Sequence, residues 1–457
     1  MSPTLPSTLW SDKVCAVSRV SSATLGILVT GAVAALVAVW AGQRSTSAPA
    51  ITRSIPWHDS GVWLAADLHT HTRFSDGGHT PQELADKAVE HGCDVLAITD
   101  HTDAELKAAT PEYHAAIAEV RTRTPGLVVL TGLEWNVPPG KGQDHAIVLL
   151  PPESAASAEH TGEFKRRFDD WDKKGENPEL AREAFAWLHG KPPAGASAAD
   201  LPVVFLNHPS RHAKNVAAVA QQLDWLAQAG RTVFIGMEGA PGHQNATPLG
   251  AYGSRLKPDD RWDPAVAPPD AAWDGRLAAD VPLWGALANS DFHGESNGDY
   301  WPCQFSTTWL YAPERTAAGA LRALRAGTFA GVHGGIARQI ELRLAAPGLP
   351  RSALAGETVR LPQGTTAVLE VRARIPKVDW AGQANRVDLV ELVGVTQAGT
   401  SVVHSAPPDS DGSVWHELVV PPDGLIIRAR GRRVVDDGPD LLFYTNPIVV
   451  RTAHGGS

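Results

Sequence analysis

The chain has 457 residues, room for two or more domains, and its 43% hydrophobic and 20% charged content is that of a globular protein. A formal charge of −10 argues against a general nucleic-acid-binding surface, which would show a basic excess. With only three cysteines, neither a disulfide framework nor a cysteine-based zinc site is available. Residues 1–24 form an N-terminal tail. Residues 25–41 run apolar with only Thr30 clearly polar, near the short limit for crossing a bilayer. This segment fits an uncleaved membrane anchor. It also fits the core of a secretory signal peptide, with Val39-Trp40-Ala41 or Ala48-Pro49-Ala50 as the cleavage site. Both place the main body outside the cytoplasm, either membrane-anchored or secreted/periplasmic; a buried globular helix is the third option. Lys13 and Arg19 before the segment are balanced by Arg44 and Arg53 after it, so charge sets no orientation. Ala41 to Pro56 has the composition of a linker, and residues 42–61 join the segment to the body.

From Val62 apolar runs alternate with amphipathic stretches. Val62 to Leu68 and Val95 to Thr99 are predicted strands. Between them Thr80-Pro81-Gln82-Glu83 starts a helix, with Thr80 as N-cap, Pro81 at N1 and Glu83 as the capping-box partner. Gly92 is placed to close it. Cys93 follows; although Cys303 is its only possible partner in the body, it is expected to be a small buried thiol. A second helix starts at Thr110 and ends before Pro125. Leu127 to Leu133 is a strand closing on Glu134, and Asp144-His145 opens another apolar run. Residues 153–199 carry dense charge and helix-forming stretches, expected as an inserted helical lid or excursion. Val203 to Leu206 ends in Asn207-His208-Pro209, and Thr232 to Met237 ends in Glu238. A long Gly- and Pro-rich loop follows, and Leu283 to Asn289 ends in Ser290-Asp291-Phe292-His293. Strand alternating with helix predicts a parallel α/β barrel or sheet over 62–335. Residues 336–457 are short alternating segments between Gly, Pro and Asp turns, the pattern of an antiparallel β-sandwich.

Strand after strand in the first part delivers a His, Asp or Glu at its end: His69, His71 and Asp76, then His101, Glu134, His208, Asp291 and His293, with His145 at the start of a run. In parallel α/β barrels the working residues sit at the carboxyl ends of the strands. Two His-x-His or Asp-x-His pairs at separate strand ends resist a purely structural explanation, because alternation points both members of a pair to one side. Oxygen and imidazole donors without thiolate suit Zn, Mn or Fe, and nine groups exceed what one cation uses. Two or three divalent metal ions follow, with Glu134 the best candidate bridge.

Asp67-Leu68-His69-Thr70-His71, Ser75-Asp76-Gly77, Thr99-Asp100-His101, Gly132-Leu133-Glu134, His208-Pro209 and Ser290-Asp291-Phe292-His293 resemble the ordered motifs of the PHP (polymerase and histidinol phosphatase) superfamily. The resemblance covers about Val62 to Gly335 and implies a distorted (β/α)7 barrel. It assigns His69, His71, Glu134 and Asp291 to one metal, Glu134, His145 and His208 to a second, and Asp76, His101 and His293 to a third. Glu134, Asp291 and His293 are the groups it places at the reaction. The apolar N-terminal segment, Trp273-Asp274 and Asn446-Pro447-Ile448 look like the CehA/McbA branch. The implied chemistry is hydrolysis by a metal-bound hydroxide. A small-molecule phosphoester is the first choice of substrate and an amide, ester or carbamate the second; no specific nucleic-acid binding is expected. The alternative outside enzymology is a surface binding protein whose barrel is only a scaffold. Asp67 and Asp100 are expected to orient ligands by hydrogen bonds or to cap strand ends. Arg211, His212 and His243 are the candidate substrate-binding residues.

Overall fold

The computed structural model describes residues 48–101, 107–137, 144–151, 158–169, 177–190, 201–242, 245, 247, 249, 256–267, 269, 271–277 and 283–452. The apolar segment 25–41 and His243 lie outside the described residues. Among the described residues no helix is long and apolar enough to cross a membrane. After β1 (Ala50–Arg53), strand and helix alternate through β2 (Val62–Asp67), α1 (Pro81–Glu90), β3 (Val95–Ile98), α2 (Pro111–Arg123), β4 (Val128–Asn136) and β5 (His145–Leu149). There follow α3 (Ala158–Phe168), α4 (Pro178–His189), β6 (Val203–Leu206), α5 (Val216–Gly230), β7 (Phe234–Ala240), α6 (Ala272–Leu277), β8 (Trp284–Ala288), β9 (Ser306–Ala312), α7 (Ala317–Ala326) and β10 (Phe329–His333).

The helix starts follow their sequence signals. Thr80 accepts from the Glu83 amide at 3.1 Å while the Glu83 carboxylate accepts from the Thr80 amide at 2.8 Å, the reciprocal capping box. Gly92 adopts φ +80°, a left-handed turn that releases the chain from α1 toward β3.

Strands β9, β2, β3, β4, β5, β6, β7 and β8 lie side by side in that order. The pairs β2/β3, β3/β4, β6/β7 and β7/β8 are parallel. β5, by contrast, runs antiparallel to both neighbours. The connection from β4 to β5 is too short for a crossover helix, so the chain makes a hairpin and departs from the parallel alternation expected of it. At the far edge Thr308 of β9 bonds both the amide and the carbonyl of Ala288 in β8, at 2.9 and 3.0 Å, which brings the ends of the strand series together. The fold is thus mixed α/β, with its parallel strands sending their carboxyl ends to one rim.

The remaining strands are β11 (Arg338–Ala345), β12 (Ala353–Leu354), β13 (Thr358–Arg360), β14 (Thr366–Arg374), β15 (Leu389–Thr396), β16 (Gly399–Ala406), β17 (Ser413–Val419), β18 (Leu425–Arg433), β19 (Leu441–Thr445) and β20 (Ile448–Arg451). β12, β11, β14 and β17 form a separate antiparallel sheet, while β19, β18, β20 and β13 continue the large sheet beyond β10. Leu369, Val371 and Ala373 point inward from β14 and meet Leu392, Ile427 and Phe443 in one apolar core. Within the stretch expected to be a linker, β1 pairs antiparallel with β13, and the Ile55 amide donates to the buried Glu357 carboxylate at 2.6 Å. Apolar Ile51 and Ile55 supply burial that a solvated linker lacks. Asp274 of α6 receives Arg428 of β18 through two bonds of 2.9 and 3.1 Å, with both side chains buried.

The expectation for Cys93 is corrected: it forms a disulfide with Cys303, Cα–Cα 5.7 Å. Its place just after α1 brings it against the 299–305 loop, a proximity across 210 positions that spacing alone does not reveal.

Candidate metal centre

The rim is built from backbone first. Asp67, at the end of β2, is fully buried and accepts from the amides of Ser290, His69 and Cys303 at 3.1, 3.3 and 3.4 Å. It therefore joins the β2 end to the chain after β8, and burial pushes its pKa up to about 6. Asp100 accepts from the Thr72 amide and hydroxyl and the Ser75 hydroxyl at 2.7, 2.8 and 2.6 Å, which shapes the turn after His71. Asp67 thus acts on backbone amides, and Asp100 on one amide and two hydroxyls, near the donors. Two donor residues sit in left-handed backbone, His208 at φ +27° and Asp291 at φ +49°, a conformation that costs free energy and persists only when the surroundings impose it.

Four donor atoms converge at the centre. His69 Nε2 lies 3.1 Å from His71 Nε2, 3.0 Å from Asp291 Oδ1 and 3.2 Å from Glu134 Oε2. His71 Nε2 is 3.1 Å from Glu134 Oε2 and 3.3 Å from Asp291 Oδ1. Tetrahedral zinc with bonds of about 2.1 Å spaces its ligands roughly 3.4 Å apart, so this set has the dimensions of a cation site. Glu134 reaches further. Its Oε2 is 3.0 Å from His101 Nε2, and its Oε1 meets His145 Nδ1 at 2.9 Å, His208 Nε2 at 3.2 Å and the Asn207 amide group at 2.8 Å. One carboxylate thus faces five imidazoles, the placement of a bridge. On the outer side His293 Nε2 and His71 Nδ1 lie 3.4 and 3.5 Å from the Asp76 carboxylate, with His101 Nε2 at 4.0 Å and the His293 ring stacked on His71 at 4.1 Å.

Three groups therefore gather with their donor atoms within 4.8 Å of one another: His69, His71, Glu134 and Asp291; His101, Glu134 and His145; and His71, Asp76, His101 and His293. The first is the set expected from sequence. The second closes through His101, with His208 touching only the Glu134 end, and the third adds His71. A neutral imidazole offers one lone pair, so His71 serves one group at a time.

The electrostatics fit a cation. Burial alone would push His69 and His71 down, yet Asp291 and Glu134 outweigh it, holding His69 well above the ordinary range and His71 at about 10. Burial would raise Glu134 and Asp291, but their imidazole neighbours, with Arg211 beside Asp291, hold both well below the usual carboxylate range. These carboxylates demand positive charge, which protons or divalent cations supply. His101 and His208 are pushed down to about 3, chiefly by burial, and stay neutral as ligation requires.

Glu238, within β7, is a partner that the sequence left without a role. Fully buried, it takes His69 Nδ1 on Oε1 at 3.0 Å, the Asn289 amide group on the same oxygen at 2.8 Å and the His208 amide on Oε2 at 3.0 Å. By accepting the Nδ1 proton it leaves His69 Nε2 as the lone-pair nitrogen aimed at the cluster. The available signal was the acid at the end of an apolar strand, the same signal that marked Glu134.

Of the substrate candidates, Arg211 donates to Asp291 Oδ2 at 2.9 Å and is 20% exposed, at the open side of the centre with His145, His293 and Asp76. His212 is exposed one residue further on. Trp135 is buried against Phe164 and Phe185, and Trp301 stacks on Phe292.

Comparison with known proteins supplies the context. Residues 67–230 match the model of the PHP domain. A 3',5'-nucleoside bisphosphate phosphatase of Chromobacterium violaceum is 36% identical over 94 residues, 20% of this chain and 30% of that protein. The 5'-3' exoribonuclease Rnm of Escherichia coli is 38% identical over 82 residues, 18% of this chain and 23% of that protein. The chain thus spans less than a third of the length of either relative. A two-domain protein of Bacteroides vulgatus containing a predicted PHP-like metal-dependent phosphoesterase aligns over 87% of this chain and 98% of its own, at 17% identity and a TM-score of 0.40.

Proposed function

Starting from the PHP domain that this chain carries, we propose that the protein is a metal-dependent hydrolase of small phosphoesters. The observation that carries the proposal is the Glu134 carboxylate, one oxygen facing His69, His71 and His101 and the other His145 and His208. His69, His71, Glu134 and Asp291 would hold one divalent cation, Glu134, His145 and His208 a second, and Asp76 and His293 a third, with His101 giving its one lone pair to the second or the third. When bound, such cations lower the pKa of water toward neutrality and stabilise charge developing on a phosphoryl oxygen.

The protein's own groups supply the rest. Glu238 keeps the His69 ring in one tautomer, and Asp67 holds the ends of β2 and β8 in register. Arg211 stands at the exposed side with its guanidinium anchored on Asp291 Oδ2, a permanent cation of the kind that suits a phosphate oxygen. His145 and His293, each partly exposed, flank the same opening as proposed ligands. The net charge of −10 favours a small phosphoester over a long polyanion. The Cys93–Cys303 disulfide supports an exported body, since disulfides persist in oxidising compartments.

The test is parallel turnover of a nitrophenyl phosphate, its diester and a naphthyl carbamate by the manganese- or zinc-loaded protein. Hydrolysis of a phosphate ester, abolished by His69→Ala with His71→Ala, is the expected result. Turnover of the carbamate alone would replace phosphoester by carbamate hydrolysis, and turnover of none would reject the enzyme.

A further inference from the structure

A buried ammonium is costly unless its donors are met. Lys165, in α3, is 1% exposed, and its Nζ donates to the carbonyls of Ala108, Asp100 and His101 at 3.0, 3.3 and 3.5 Å. It therefore grips the chain at both ends of the 101–108 stretch, including the backbone of a proposed metal ligand. One turn on, the same helix is fastened to the neighbouring strand: the Phe168 carbonyl accepts from Trp135 Nε1 at 2.8 Å, and the Asp169 carboxylate accepts from the Asn136 side-chain amide at 2.7 Å. Trp135 and Asn136 directly follow Glu134. Between the two fastenings His101 and Glu134 form a parallel bridge, their side chains 3.0 Å apart at Nε2 and Oε2.

We propose that Lys165 is a positioning residue for the metal centre: through α3 it fixes His101 against Glu134, so that both donors face one cation. This rests on the metal-dependent reading above and adds to it a residue from outside the strand ends. An apolar side chain would fill the same space without the cost of burying a charge. The ammonium answers the carbonyls of Ala108, Asp100 and His101 at once, which an apolar side chain of the same length cannot do. The groups that include His101 depend on this grip. The group of His69, His71, Glu134 and Asp291 depends on it only through Glu134, because His69, His71 and Asp291 are set by β2, the 290–293 turn and Glu238.

The experiment uses the full chain stripped of metal and titrated with Co(II), read by metal content per chain and by the visible absorption of bound cobalt, with melting of the metal-free protein alongside. Lys165→Met is expected to take up the first cobalt as wild type does, to lose at least tenfold in affinity for a later one with a changed absorption band, and to regain both within threefold as Lys165→Arg. Trp135→Phe, which removes only the Nε1 donor, is expected to weaken the same later ion about threefold, and it decides the matter if Lys165→Met does not fold. Wild-type cobalt affinities and spectra in Lys165→Met, or in Trp135→Phe where that variant decides, would overturn the proposal. So would equal weakening of every ion accompanied by a lowered melting temperature, the mark of a merely structural lysine. Wild-type protein that takes up no cobalt overturns this inference and the metal-dependent function together. Cobalt uptake with the expected Lys165→Met loss, but no phosphoester turnover, overturns the substrate assignment alone.

Discussion

Glu238→Gln isolates the contribution of one buried carboxylate to metal holding. Each described contact of Glu238 is to a donor: Oε1 takes His69 Nδ1 and the Asn289 amide group, and Oε2 takes the His208 amide. Glutamine has one carbonyl oxygen. If that oxygen keeps His69 and Asn289, its NH2 group faces the His208 N–H, donor against donor in a buried site. If the amide flips, His69 loses its acceptor and its Nδ1 proton is no longer held. A buried donor left unmet costs about 1–3 kcal/mol, which corresponds to roughly 5- to 150-fold in an equilibrium constant. Loss of a carboxylate behind a ligating histidine typically weakens metal affinity by about 10–100-fold, within the same range. The assay is chelator competition for Zn(II) with the metal-free protein, beside a circular dichroism melt to show that the variant is folded. The predicted outcome is a folded variant with affinity lower by one to two orders of magnitude. A folded Glu238→Gln protein that competes with the chelator as wild type does would refute the role given to Glu238.

Further outcomes follow from the same geometry. Asp274→Leu strands the buried Arg428 guanidinium and is expected to destabilise by about 3–5 kcal/mol in chemical denaturation, while Asp274→Leu with Arg428→Met recovers most of that loss; equal loss in both would contradict it. Cys93→Ser with Cys303→Ser opens a closure of 210 positions, worth about 5 kcal/mol in the chain-entropy account, so the urea midpoint should fall clearly, and an unmoved midpoint counts against the bond. Arg211→Ala removes a charge-assisted donor at the mouth of the site and should raise KM for a phosphate ester by about 10–100-fold with a smaller effect on a neutral ester. Gly242→Ala would set a Cβ 2.7 Å from the Arg211 guanidinium and 2.9 Å from Asp291 Oδ2 at φ +51°, so turnover should drop while the protein stays folded; unchanged turnover would show that the loop yields.

The strand ends made the donors legible one by one, because His69 and His71 share one face of an extended segment beyond an apolar run, while the grouping of His69, His71, Glu134 and Asp291 came from the resemblance to the PHP superfamily. The start of α1 was equally legible, since Thr80, Pro81 and Glu83 encode it locally. What the sequence hid were relations between distant segments. Cys93 meets Cys303 only once α1 and the 299–305 loop are placed. His101 joins the group of Glu134 and His145 only because the β3 and β4 ends are neighbours. Lys165 carried no sequence signal, since it is defined by what it bonds, and Glu238 ended an apolar run as Glu134 does but only its contacts give it a role. The reversed direction of β5 was masked because a short hairpin and a βα turn look alike in hydropathy. β1 was masked by its Ser-, Pro- and Thr-rich flanks, although Ile51 and Ile55 provide the apolar anchors.

The shared-cation claim is tested most directly by metal content per folded chain after reconstitution with zinc or manganese, in wild type and in the His69→Ala, His71→Ala protein. The account predicts two or three ions per wild-type chain and the loss of at least one in the folded double variant, together with its turnover. Wild-type protein at background metal content, or a double variant that retains the full complement, would contradict it.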